Sequence, residues 1–308
     1  MTVAHRLRAA WERFWFASES PVNLAAARVL VALQASWILL SRDIPALSGL
    51  PGDFWVDVGE SARWRYLLWE GHPALERALQ AVVLLALMGV LLGLGARLCC
   101  AASALLLYHL APLETLFYTV SPWAKGLTLP VLALLALSLA PCGDALSLRR
   151  APAPPREPWE YGWSLRLIQL LVAGPYFFSG WSKLMNAGWS WASSANIRAW
   201  LLLSNQDDQL AVFSRPGLWL ADHPALCLAM GVAGLLFELG FVAAVFWPAS
   251  RKVLLPAAVA FHAVILVTQN YAFLSAPLLL VYVDWAALAR GAGSRAISPG
   301  LPRAVGQA

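Results

Sequence analysis

The chain has 308 residues, of which 60% are hydrophobic and only 13% charged, about half the usual charged share of a soluble domain. A water-soluble fold of this size would lack the polar surface to cover itself, so the composition excludes a soluble globular enzyme and indicates an integral membrane protein. The formal charge of +5 would draw attention to nucleic acid, but the placement of the basic residues gives it another meaning.

From the N-terminus, AHRLRAAWERFWF at residues 4–16 puts Leu7, Trp11, Phe14 and Trp15 on one helical face, with Arg6 and Arg13 off it. This predicts an amphipathic helix in the membrane interface within residues 1–19. The apolar run after it contains Arg28 and lacks a small-residue cleavage site, so it predicts an uncleaved anchor. Continuous apolar runs exclude a transmembrane β-barrel. They predict an all-α integral membrane fold, a bundle of about eight transmembrane helices at roughly 21–43, 75–95, 98–119, 126–142, 164–184, 225–248, 252–270 and 272–289. Residues 20–290 then form a single transmembrane domain, and 291–308 a disordered tail. Two connecting segments, 44–74 and 185–224, are rich in tryptophan (Trp55, Trp64, Trp69; Trp189, Trp191, Trp200, Trp219) and predict short interfacial helices. The Pro-rich stretch APAPPREP at 151–158 separates the two halves.

Basic residues collect on alternate connections: Arg6, Arg8 and Arg13, then Arg97, Arg149, Arg150 and Arg156, then Arg251, Lys252 and Arg290. Asp53, Asp57, Glu60, Glu70, Asp207, Asp208 and Asp222 fall on the others. This is the positive-inside distribution, which predicts both termini in the cytoplasm and no nucleic-acid partner. The Ala-rich, Arg-over-Lys composition fits a bacterial protein, hence a multi-pass protein of the inner (plasma) membrane.

An ionisable side chain within hydrocarbon costs roughly 2.5–3.5 kcal/mol or more, which makes each one a candidate site. Those present are Arg28, His109, Glu114, Arg166, Lys183, Glu238, His262 and Asp284. Tyr176, Gly180 and Lys183 share one helical face, below which Pro175 predicts a kink. A lysine held there suits a base, and one that snorkels to the headgroups suits nothing but anchoring. His262 shares a face with Ala258 and Gln269, and either serves the site or bonds a neighbouring carbonyl. Glu238, with Gly231 and Gly234 on its side, pairs with Arg28, Arg166 or Lys183 or stays protonated. Spacing for a metal, haem or phosphate loop is absent, so neither a metal nor haem is expected. The four cysteines show no disulfide framework, and the Cys99-Cys100 pair reads as small apolar residues or as a palmitoylation site.

Several segments together, SPVNLAAARVLVAL (20–33), PCGDALSLRR (141–150), YFFSGWSKLMNAGWSW (176–191) and AFHAVILVTQN from Ala260, resemble the HTTM, or vitamin K-dependent γ-carboxylase-like, membrane family. A weaker similarity extends to DoxX-type membrane subunits. The resemblance implies a quinone or hydroquinone cofactor of the isoprenoid class, with Lys183 as the base that deprotonates it and His262 as a second catalytic residue. A flat, apolar, membrane-soluble ligand suits a pocket walled by Phe177, Phe178, Trp181 and glycines such as Gly180, with Tyr176, Glu238 and His262 lining it. The implied activity is epoxidase- or carboxylase-like, without the soluble domain that holds a peptide substrate. One departure is the segment SPWAKGL (121–127), which stands where the carboxylase has Asn-Asn-His. Two other readings stay open: a non-catalytic DoxX-like accessory subunit with an unknown partner protein, and a lipid or small-molecule carrier. The enzymatic reading requires Lys183, Glu238 and His262 to converge on one cavity.

Overall fold

The computed structural model describes residues 3–41, 43–49, 72–113, 122–149, 154–206 and 213–296. Every regular element among them is helical. Helix α1 (Val3–Trp15) has no buried residue. It is joined to the rest at its C-terminal end, where Phe14 stacks on Phe246 and lies under the guanidinium of Arg166. Helix α2 (Pro21–Leu40) starts where its sequence says it should. Ser20 accepts a hydrogen bond from the Val22 amide at 3.2 Å, and Pro21 fills the first turn, where its missing N–H costs nothing.

After the short α3 (Ile44–Ser48) come α4 (Pro73–Leu92), α5 (Ala96–Leu113) and α6 (Pro122–Leu139). Helix α4 stops at Gly93, whose φ of 71° is left-handed. A Cβ there would stand 2.6 Å from the side chain of Ser147, so both the backbone and the space demand glycine. These helices pack around α2 through Leu24, Val31 and Ile38 of α2, Val83 and Leu87 of α4, Leu107 of α5 and Leu134 of α6. The second half holds the 29-residue α7 (Trp159–Ala187), about 43 Å long at 1.5 Å per residue. A 3₁₀ turn (Gly188–Ala192), α8 (Ser194–Ser204) and α9 (Ser214–Ala221) follow, then α10 (Pro224–Gly240), the single turn α11 (Ala243–Phe246) and α12 (Arg251–Gln269). The described chain closes with a 3₁₀ helix (Ala276–Tyr282) and α13 (Trp285–Ala296).

Four stretches are long and apolar enough to cross a membrane: Pro21–Leu40, Pro73–Leu92, Pro224–Phe246 and Pro248–Gln269. Ala96–Leu110 and Gly126–Leu139 are apolar but shorter. Only the first is mostly internal, at 67% buried; the second and the last are 22% and 11% buried. Their outer surface carries exposed Leu85, Met88, Val253 and Val259, and that of Ala96–Leu110 carries exposed Leu98 and Leu105. Apolar belts of that extent are stable against lipid and unstable against water. The chain is thus a helical membrane protein by the character of its helices.

One sequence expectation is corrected in part. The apolar run expected to form an eighth span at 272–289 is no continuous α-helix: it holds the 3₁₀ segment and the first turns of α13. Leu278, Leu279, Val281 and Tyr282 are buried against protein, so the run is apolar because it belongs to the core. The Trp-rich segment 185–224 does form short helices, α8 and α9. Most of its counterpart at 44–74, with Trp55, Trp64 and Trp69, lies outside the described residues, as do most of the expected tail and Glu114.

Polar side chains tie the irregular segment in. Gln34 of α2 donates to the Leu274 carbonyl at 2.6 Å, and Gln169 of α7 to the Val281 carbonyl at 3.1 Å. Asn23 accepts from the Ala286 amide at 2.9 Å and donates to Asp284 at 3.1 Å. The fully buried Arg28 donates to the carbonyls of Cys142 (2.7 Å) and Ala145 (3.3 Å), and to that of Leu146. These carbonyls lie just beyond the C-terminal end of α6, where the helix dipole is negative. Arg28 is therefore a staple holding α2 to the 141–148 turn, and it is not the partner of Glu238.

Candidate functional site

Helix α7 brings three polar side chains to one side. Tyr176, Ser179 and Lys183 all line a cavity of about 870 Å³, and their spacing of three and four residues puts them on one face. Opposite stand Phe237 and Glu238 of α10 and Phe261 and His262 of α12, with Trp191, Ile197 and Trp200 closing the end beneath α8. Leu129 of α6, Tyr271, Phe273 and Ser275 complete another wall. The lining is mainly apolar, with a few convergent polar groups, which is the usual make-up of a small-molecule site.

Two polar pairs stand out within it. Lys183 Nζ contacts both carboxylate oxygens of Glu238, at 2.6 and 2.7 Å. Ser179 Oγ donates to the same carboxylate at 3.2 Å. The ammonium also sits 4.1 Å from the centroid of the Trp191 ring, a cation–π contact that gains strength as water is excluded. In the second pair, Tyr176 Oη lies 2.6 Å from His262 Nε2. His262 Nδ1 is buried without a hydrogen-bond partner among the described residues. With the phenol donating to Nε2, a singly protonated imidazole carries its proton on Nδ1, so the pair has a spare donor.

The local sequence explains the approach of α7 to α10. A Cβ on Gly180 would meet the Glu238 Cβ at 3.0 Å and Leu239 at 3.1 Å. Glycine lets the two helices close to a distance at which lysine and glutamate meet with both oxygens. Gly231 plays a comparable part against the 3₁₀ turn, where an added Cβ would stand 2.6 Å from the Ala192 carbonyl oxygen. That contact seats Trp191 over the lysine.

Lys183, Glu238, His262 and Tyr176 therefore line one cavity, together with Gln269 from the same stripe of α12. Gly180 is not a wall but a helix contact. Phe178 and Trp181, expected in the pocket, are a correction: they are 67% and 46% exposed and stand outside the lining. Residues at i+2 and i+5 from Tyr176 fall on the far side of α7, so the helix geometry that turns Lys183 inward turns them out. Phe177 stacks with Trp181 on that outer side, at 6.2 Å between centroids.

Other buried polar residues lie elsewhere. Arg166 donates to the Val245 carbonyl at 3.1 Å. His109 Nε2 lies 3.2 Å from Glu76, both almost fully buried between α4 and α5. Glu76 is missed by the sequence reading because it falls at the edge of an expected span, where an acidic residue passes for interfacial. Among the described residues no group of three or more His, Cys, Asp or Glu side chains is placed to hold a metal ion. No family model, no curated protein and no solved structure matches the chain.

Proposed function

We propose that the cavity between α7, α10 and α12 binds an isoprenoid quinone or its hydroquinone, and that Lys183 is the proton acceptor there. The observation that carries this reading is the meeting of two polar pairs, Lys183–Glu238 and Tyr176–His262, on one otherwise apolar cavity. A flat apolar ring with an oxygen at either end has the matching chemistry. The buried Nδ1 of His262 is a polar atom without a partner among the described residues, and such an atom is costly unless something bonds to it.

When bound, a hydroquinone supplies an ionisable hydroxyl and, with oxygen, the reducing chemistry of an epoxidase- or carboxylase-like reaction. What the chain supplies is a place for the proton. Transfer of one proton from Lys183 Nζ to Glu238 turns an ammonium–carboxylate pair into an amine and a carboxylic acid, with no change in net charge. The amine nitrogen is then a base directed into the cavity, and Ser179 still bonds the acid. Tyr176 orients the imidazole of His262, whose other nitrogen is available to donate to a second ligand oxygen. The surrounding Phe237, Phe261 and Phe273 exclude water, which strengthens each of these contacts.

The topology of the bundle belongs to the same reading. We place the arginine-rich end, with α1, Arg166, Arg251 and Lys252, at the cytoplasmic face of a bacterial inner membrane. The cap of α8 and α9 then faces outward, and up to eight segments are accommodated in the bilayer. Reporter fusions after Arg290 and within 207–212 should report opposite compartments; the same compartment for both would refute the orientation.

The test of the ligand is mass spectrometry of an organic extract of protein purified in native lipid. A quinone retained near one per chain in wild type and lost in Lys183→Ala and in Tyr176→Phe/His262→Ala supports the reading. No enrichment over bulk membrane in wild type overturns it. A second reading, a non-catalytic binding subunit, is favoured by one observation: Lys183 is already held by Glu238 through both oxygens. It predicts retention of the ligand without turnover.

A further inference from the structure

The cavity is more than a chamber for a ring. On α10 its lining includes Leu226, Ala229, Met230, Ala233, Gly234, Phe237 and Glu238, a single helical stripe at spacings of three and four. The facing stripe on α12 runs from Ala257 through Ala260, Phe261, Val264 and Ile265 to Gln269. Each stripe extends over thirteen residues, about 18 Å of helix from first to last at 1.5 Å per residue. The two helices face each other along a groove whose floor is α7.

Among the described residues nothing covers that groove along its side. Helix α10 packs extensively on α7 and α8 but meets α12 only sparingly. A Cβ on Gly234 would find only the edge of Phe261, at 3.8 Å, an ordinary contact with room to spare. The residues along the two lips are small or half-exposed: Ala229, Ala233 and Ala260 are exposed, and Leu226 and Val264 are 42% and 43% exposed. Both helices belong to stretches apolar enough to cross a membrane, so what lies outside the lips is hydrocarbon. The polar groups sit inside, toward α7.

We infer that this slot between α10 and α12 is a lateral door from the bilayer, and that the ligand is a long-tailed amphiphile which enters head first and leaves its apolar tail between the lips. The inference rests on the proposed binding of a quinone-like ring only for the identity of the head. The tail site stands on the groove itself. Its length is comparable to half of a hydrocarbon core about 30 Å thick, so one extended chain fills it. A water-soluble ligand would gain nothing from such a slot, and a ring without a chain would leave the lips of α10 and α12 facing lipid alone.

The test uses the full-length protein in phosphatidylcholine vesicles and an apolar aryl diazirine dissolved in the bilayer. Photolysis should leave adducts on Phe237 and Tyr176 as well as on lipid-facing Leu85. Ala233→Trp and, independently, Ala260→Trp should lose the adducts on Phe237 and Tyr176 while Leu85 is labelled as before, which also shows that the variants remain folded in the membrane. Absence of cavity adducts in wild type, or their persistence in both tryptophan variants, overturns the lateral door. The quinone reading fails separately, through the extract, since the diazirine labels the slot whatever head group it normally admits.

Discussion

Lys183 meets Glu238 across two helices because Gly180, three residues before it on α7, has no side chain to hold α10 away. The ammonium lies 2.6 and 2.7 Å from the two carboxylate oxygens, and the missing Cβ would have stood 3.0 Å from the Cβ of the same glutamate. One residue sets the helix separation and its neighbour on the next turn uses it.

Gly180→Val should therefore cost about 1–3 kcal/mol of stability, the usual range for overpacking a tight contact. It should also break the ion pair. Thermal unfolding in detergent measures the first effect. The second appears as non-additivity: Glu238→Gln should do less harm in the Gly180→Val background than in wild type.

The pair itself is best measured by a double-mutant cycle. Side-chain exposure is 25% for Lys183 and 7% for Glu238, so removing the lysine strands a nearly buried carboxylate. Lys183→Met alone should destabilise by a few kcal/mol, up to about 3–5. Lys183→Met/Glu238→Leu should recover much of that loss, because an apolar pair leaves no charge stranded. A loss in the double variant equal to the sum of the two single losses would show that the two residues do not depend on each other.

Arg28 offers a contrast, since its partners are backbone carbonyls and not a carboxylate. Arg28→Met should reduce the yield of folded protein sharply: several buried carbonyls lose their donor, each at roughly 1–3 kcal/mol. Arg28→Lys should be intermediate, because a single ammonium cannot span carbonyls that a planar guanidinium reaches together. Size-exclusion profiles of matched preparations rank the three proteins.

One close approach that holds the cap over the cavity lies at Gly217. A Cβ on Gly217 of α9 would stand 2.2 Å from the Thr268 carbonyl oxygen and 2.4 Å from Asn205. Asn205 donates to that same carbonyl at 2.8 Å and accepts from Asn270 at 2.9 Å. Gly217→Ala should thus loosen α8 and α9 without disturbing α2. Hydrogen exchange should rise in peptides covering 194–206 and 213–221 and stay unchanged in those covering 21–40. An unchanged cap would mean that α9 absorbs the added methyl group, and the latch would be refuted.

Much of this was legible in the sequence, for physical reasons that differ from residue to residue. The start of α2 was readable because Ser20 and Pro21 act locally. Tyr176, Lys183, Glu238 and His262 were readable because a polar side chain in an apolar helix is too costly to be incidental. Trp191 was seen only as an interfacial tryptophan, since its place over Lys183 depends on a 3₁₀ turn and on the contact at Gly231, which no local pattern announces. Phe178 and Trp181 were assigned to the pocket by proximity in the chain, but helix phase turns them away. The run at 272–289 misled because hydropathy registers burial and does not distinguish burial in protein from burial in lipid.

That last segment has a bearing on how the protein is made. From Leu274, beside Gln34, to Ala286, beside Asn23, it runs antiparallel to α2 along much of its length, and its carbonyls are satisfied by side chains of Gln34, Gln169 and Arg251. The carbonyls of Leu274, Val281 and Tyr282, at the ends of the 3₁₀ stretch, have no such donors in bare lipid. The segment therefore has no stable way to enter the bilayer by itself during synthesis. It must wait for α2, α7 and α12, and so the final stretch of the bundle is threaded into a groove that the earlier helices have already built.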